Sequence, residues 1–108
     1  MSELRWDRNF ALEQAGDDEE ILAELLELFR HSARADLDKI KAGAADKNPV
    51  AMGEAAHSIK GAAASLGVEA VRVLAHEIEK AGRGGDLAGA LQPLPALEQL
   101  LQQLGSMK

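Results

Sequence analysis

The sequence predicts an all-α domain, and its composition is the main evidence. Ala and Leu account for 20 and 16 of the 108 residues, whereas Val and Ile account for four each and Thr is absent. Helices favour Ala and Leu, while strands favour β-branched residues. Glycines and capping residues also divide the chain into segments of helical length. Because chains of this length rarely form two cores, we expect residues 1–108 to be one domain.

Five helical segments are predicted from caps, glycines and apolar spacing. Asp17 and Asp18 are both candidate caps for the second segment. Asp86 can cap the fifth segment, and Asn48 with Pro49 can start the third. Pro93 and Pro95 should kink or interrupt the last segment, because proline lacks an amide donor and clashes with the preceding turn. The expected helices cover residues 6–15, 19–43, 49–67, 68 or 69 to 81, and 87–104. The short first helix, anchored by Trp6, would lie across one end of an antiparallel up-and-down four-helix bundle.

Charge and composition exclude several classes of function. The chain has 12 basic and 18 acidic residues, a net charge of −6, and no cysteine. Its basic residues are scattered, whereas nucleic-acid binding needs a concentrated basic surface. The longest apolar runs are too short to span a bilayer, and no signal peptide is recognisable. We therefore expect a cytoplasmic protein that binds neither nucleic acid nor membrane.

The third segment carries an unusual outer face. Its apolar stripe is centred on Ile59, and His57 lies about 160° away from that residue on the helical wheel. The predicted neighbours of His57 on this outer face are Gly53, Gly61 and Ala64. A glycine inside a helix costs up to about 1 kcal/mol relative to alanine, so helix stability does not explain the two glycines. Clearance for a macromolecule that approaches His57 would explain them. Close packing of a neighbouring helix, with His57 buried, is the competing interpretation.

Lys60 lies one turn after His57 and adds a chemical argument. A neutral, exposed imidazole is a competent nucleophile near pH 7. An ammonium group beside it would stabilise the negative charge of an incoming phosphoryl group. We therefore interpret His57 as a candidate phosphoacceptor and Lys60 as a stabilising cation.

The segment from Ala56 to Gly67 resembles the signature of histidine-containing phosphotransfer (HPt) domains, which is His-x-x-Lys-Gly followed by small residues and Leu-Gly. The similarity extends to the helix end at Ile78–Arg83 and, more loosely, over nearly the whole chain. It implies a four-helix bundle whose exposed histidine accepts a phosphoryl group from a receiver-domain aspartate and passes it to the aspartate of another receiver. Lys60 and Gly61 match the family's lysine and glycine, and Glu79 matches a position that often bonds the imidazole.

The resemblance also implies the partners. They would be the receiver domains of a hybrid sensor kinase and of response regulators, and these would supply the Mg²⁺, so the chain itself would need no cofactor. We expect a monomer. We also expect no autonomous kinase activity, because no nucleotide-binding motif is present. The alternative is a non-catalytic helical scaffold that docks a partner through the small-residue face. The combination of His57 with Lys60 favours phosphotransfer.

The remaining histidines are interpreted as structural. His31 is expected near the middle of the second helix, at the boundary between its buried and exposed faces, and His76 at a surface or boundary position. The run from His76 to Lys80 partly resembles the phosphoacceptor box of sensor kinases, but it lacks the base at position 79 and the proline that usually follows. The three histidines are widely spaced, so the sequence predicts no metal site.

Overall fold

The structure is a computed structural model, and it describes residues 4–104. Within these residues the secondary structure is helical, apart from a single antiparallel bridge between Trp6 and Val68. The helices are α1 (Arg8–Gln14), α2 (Glu19–Ala45), α3 (Pro49–Leu66), α4 (Glu69–Arg83), α5 (Leu87–Leu91) and α6 (Leu94–Gln103). The long helices α2, α3 and α4, together with the α5–α6 pair, form a four-helix bundle, and α1 packs against α2 and α3. This is the predicted fold class.

Side-chain caps set the helix starts. Asp18 accepts hydrogen bonds from the amides of Glu20 and Ile21, and Asn48 accepts one from Ala51. Asp86 caps α5 through the amide of Gly89. These contacts satisfy amides that have no partner within a helix. Of the two candidates for α2, Asp18 is the cap, and the caps predicted at Asn48 and Asp86 are confirmed.

Three boundaries differ from the expectation by two residues. Helix α2 extends past Gly43 to Ala45, because Gly43 lies against Met52 at a crossing with α3. Helix α4 continues to Arg83, since Gly82 is a packing glycine inside the helix and does not end it. Trp6 precedes α1, which begins at Arg8, and its indole Nε1 donates to the carbonyl of Leu66 at 3.0 Å. Trp6 thus anchors the N-terminal segment over the end of α3.

The prolines interrupt the last segment, as predicted. Helix α5 ends at Leu91, and α6 begins at Leu94 with Pro95 in its first turn. The core lies between the bundle helices and is mostly aliphatic. Its largest fully buried side chains are Leu22, Ile40, Met52, Ile59, Ile78, Leu97, Leu100, Val68 and Val71. Within residues 4–104, no helix is both long enough and apolar enough to cross a membrane.

Candidate functional site

His57 lies on the surface of α3, where its side chain is 56% exposed. The fully buried neighbours Ala56 and Ile59 fix the orientation of this helix, because they hold its opposite face in the core. The imidazole is therefore placed on a firmly packed helix and not on a loop. The outward position predicted from the helical wheel is the position that the structure shows.

Glu79 of α4 lies beside the ring. Its side chain is only 5% exposed, and its Oε2 is 2.6 Å from Nδ1 of His57. An ionised carboxylate can only accept a hydrogen bond, so Nδ1 of His57 carries the proton and donates it to Glu79. In the neutral imidazole the other nitrogen, Nε2, then carries the free lone pair. This contact selects the tautomer that presents Nε2 as a nucleophile.

Two cationic side chains form ion pairs with this carboxylate. Lys60 Nζ is 2.5 Å from Oε1 of Glu79, and an Arg83 guanidinium nitrogen is 3.0 Å from Oε2. Burial raises the pKa of Glu79, but hydrogen bonds from Lys60 and His57 and the charges of Lys60 and Arg83 lower it more. The net effect is a pKa below the ordinary value of the carboxyl group, so Glu79 is ionised. One negative and two positive charges leave this site with a net positive charge, which favours a phosphoryl group.

Gly53 does not lie on the open face where we expected it. It is buried, and a Cβ at this position would lie 3.1 Å from the carbonyl oxygen of Glu79 and 3.2 Å from the amide nitrogen of Arg83. The prediction that Gly53 provides clearance around His57 is therefore wrong. For this glycine the competing interpretation holds, because it allows α4 to pack closely against α3.

Gly61 and Ala64 do lie on the exposed side of α3. A Cβ added at Gly61 would have no described atom within 4 Å. The surface one turn after His57 is thus open, as the sequence analysis predicted. Packing within the bundle gives no reason for a glycine at position 61.

Sequence reasoning missed Arg83 and Gly82 as parts of this arrangement. Arg83 follows Glu79 by four residues, a spacing that places the two side chains on one helix face and that was available as a signal. Gly82 was interpreted as a helix end. Its role depends on the tertiary structure, because a Cβ there would lie 2.3 Å from the carbonyl oxygen of Pro49.

The other histidines lie apart from this arrangement or at its edge. His31 is exposed on α2 and contacts Glu27 at 3.0 Å, so it is a surface residue and not the boundary residue that we expected. His76 is also at the surface, with Nδ1 3.7 Å from Oε1 of Glu79. In the part of the chain that the structure describes, no three His, Cys, Asp or Glu residues are grouped so that they could hold a metal ion.

Known proteins resemble this chain in sequence pattern and in fold. The family model of the Hpt domain matches residues 24–107. The fold is similar to the crystal structure of histidine-containing phosphotransfer protein B (HptB) from Pseudomonas aeruginosa PAO1, with a TM-score of 0.85 and 21% identity over 95% of this chain and 90% of that chain. Among curated proteins, none has a significantly similar sequence. The chain belongs to the Hpt domain family, and its function is histidine phosphotransfer to and from receiver domains in phosphorelay signalling.

Proposed function

We propose that His57 is the phosphoacceptor of this chain and that Glu79, Lys60 and Arg83 support it. The observation that carries the proposal is the contact between His57 Nδ1 and the buried Glu79 carboxylate at 2.6 Å, made by a ring that is more than half exposed. A histidine that only contributed to packing would not need an oriented tautomer facing solvent. His31 and His76 lack an equally short contact with a buried carboxylate.

The proposed reaction is an in-line displacement at phosphorus. Nε2 of His57 attacks the aspartyl phosphate of a receiver domain, an N–P bond forms, and the P–O bond to the aspartate breaks. The aspartate leaves as a carboxylate. The ring keeps its Nδ1 proton and gains positive charge, which the Glu79 carboxylate stabilises across the short hydrogen bond. The reverse sequence transfers the group to the aspartate of a second receiver.

The proposed partners are a receiver of a hybrid sensor kinase as donor and a response-regulator receiver as acceptor. The receiver supplies Mg²⁺ and an acidic pocket, so this chain contributes the nucleophile and the surrounding positive charge. Gly61 and Ala64 leave room for receiver loops above the ring. As part of this proposal the chain acts in the cytoplasm as a monomer and has no kinase activity of its own.

The test is phosphoryl transfer from a purified receiver domain that has been labelled with radioactive acetyl phosphate. The unchanged chain is expected to acquire an acid-labile, alkali-stable label, as a phosphohistidine does. His57→Gln should remove the label and preserve the helical circular dichroism spectrum, because an exposed side chain contributes little to packing. His31→Gln and His76→Gln are matched controls and should label normally. Undiminished labelling of His57→Gln would refute the assignment, and a chain that binds receivers without labelling would be a scaffold.

A further inference from the structure

Asp36 is a mostly buried residue whose carboxylate the proposed site does not use. Its residue is 8% exposed, and among the described residues only Asp36 and Glu79 are buried charged side chains. Glu79 is paired with Lys60, Arg83 and His57. Asp36 has no hydrogen bond or ion pair with any residue in the range 4–104. The oxygens of this carboxylate remain in contact with solvent, so they are available to a ligand that enters from outside.

Asp36 lies at the wall of an open groove between α2 and α3. The groove has a volume of about 470 Å³, and small residues such as Gly43 and Ala51 leave the space for it. Three acidic residues and a single base line it, so it is electronegative. These charged residues are Asp36, Asp46, Glu54 and Lys39. The charge of the groove fits a cationic group that enters from solvent and reaches Asp36.

A cationic side chain fits this groove better than a metal ion does. No three potential ligand residues in the described part of the chain are grouped closely enough to coordinate a metal. A guanidinium or ammonium group on a long aliphatic stem needs fewer charged partners. It can follow the alanine-lined wall and form a charge-assisted hydrogen bond with one carboxylate.

The groove adjoins the surface over which a receiver would dock. Glu54 precedes His57 by about one turn of α3, Ser58 follows it directly, and both line the groove. We propose that the groove binds a Lys or Arg side chain of the receiver domain, with Asp36 as the acceptor, and that this contact contributes to the choice of receiver. The inference rests on the proposed function, because it assumes that the receiver docks over His57.

Calorimetry can test the contact without any transfer reaction. The ligand is an unphosphorylated receiver domain that labels the unchanged chain in the assay above. Asp36→Asn keeps the shape of the side chain and removes its charge, and it should weaken receiver binding about tenfold or more. In the transfer assay the KM should rise while kcat stays the same. Asp38→Asn is the matched control, because Asp38 is exposed on the same helix outside the groove, and it should bind like the unchanged chain.

A second variant keeps the test decisive if Asp36→Asn fails to fold. Ala51→Lys places a cation of the chain's own in the groove and leaves Asp36 unchanged, so it should also weaken receiver binding. Replacement of the receiver's contacting Lys or Arg should cause no further loss in Asp36→Asn, as expected for coupled partners. Normal receiver binding by Asp36→Asn or Ala51→Lys would overturn this inference and would leave the proposed function unaffected. Mg²⁺ binding that depends on Asp36 while receiver affinity is unaffected would also overturn it. Failure of every receiver to bind the unchanged chain would contradict the proposed function itself.

Discussion

Gly53 and Gly82 are in backbone contact where α3 crosses α4. A Cβ at Gly82 would lie 2.8 Å from the amide nitrogen and 2.9 Å from the Cα of Gly53. His57 follows Gly53 by about one turn, and Glu79 precedes Gly82 by about one turn. The close approach of the two helices therefore brings the Glu79 carboxylate within hydrogen-bond distance of the ring. Packing of two glycines therefore determines the geometry of the cluster around His57.

Gly82→Ala tests this dependence. The new methyl group would collide with the Pro49 carbonyl, so α4 must move away from α3. We expect the free energy of unfolding to fall by about 2 kcal/mol, as in other overpacked helix contacts. Phosphotransfer should also slow, because the contact between Glu79 and His57 lengthens. Urea unfolding and the labelling assay measure the two effects.

Gly61→Ala is the matched control for this substitution. It adds the same methyl group to a helix interior, but into open space. The free energy of unfolding of the Gly61→Ala variant should rise by up to about 1 kcal/mol, because alanine has a higher helix propensity than glycine. Equal stability changes in the two variants would show that the contact between α3 and α4 is not tightly packed.

Gly61→Gln tests whether receiver docking needs an open surface beside His57. The longer side chain projects from the exposed face one turn after the ring, so it should hinder the approach of the receiver. The thermal stability of this variant should hold or rise. The rate of transfer from one receiver should fall at least tenfold relative to Gly61→Ala, because misplacing the reacting atoms by 1 Å can lower a reaction rate about a hundredfold. Transfer at the parental rate would mean that clearance is not the role of this glycine.

Lys60→Ala should slow transfer without abolishing it. Lys60 is 2.5 Å from Glu79, so its charge is partly neutralised, and Arg83 supplies a second cation to the same carboxylate. We expect about a tenfold decrease in kcat, smaller than the loss usually seen when the sole stabilising donor is removed. Lys80→Ala is the control, because Lys80 is exposed on α4. A loss as complete as that of His57→Gln would indicate a further role for Lys60.

Stability should depend on pH through Glu79. Burial raises the pKa of this carboxyl group, but its hydrogen bonds and the cations lower it to below the ordinary value of 4.5. A group with a lowered folded-state pKa contributes stability that is fully present above about pH 5 and is lost as the pH falls through that pKa. The difference in unfolding free energy between the unchanged chain and Glu79→Gln should therefore be greatest near neutral pH and shrink below pH 4.5.

Glu77→Gln provides the comparison for the pH series. Glu77 is exposed on the same helix, so its replacement removes a carboxylate without disturbing the cluster around His57. Its stability difference from the unchanged chain should stay small throughout the pH range. If Glu79→Gln follows the same curve, Glu79 is not held ionised by its partners.

Local rules were sufficient for most of the fold and for the exposed position of His57. The caps at Asp18, Asn48 and Asp86 involve residues only two or three positions apart, so the sequence contains all the information for them. The same holds for the exposure of His57, because the buried stripe around Ile59 orients the whole helix. The interruption at Pro93 follows from the chemistry of that residue alone.

Distances between helices decided the rest. The sequence predicted the same clearance role for Gly53 and Gly61. In the structure Gly53 packs against the backbone of α4, whereas Gly61 faces open space. Glycine has no side chain to show which environment it occupies, so only the crossing of α3 and α4 distinguishes them. The same crossing gathers Lys60, Arg83 and His57 around Glu79. The sequence by itself therefore determined the helices and the exposed histidine, while tertiary packing decided which charges share a buried environment, because electrostatic interactions depend on distances between helices that no local pattern encodes.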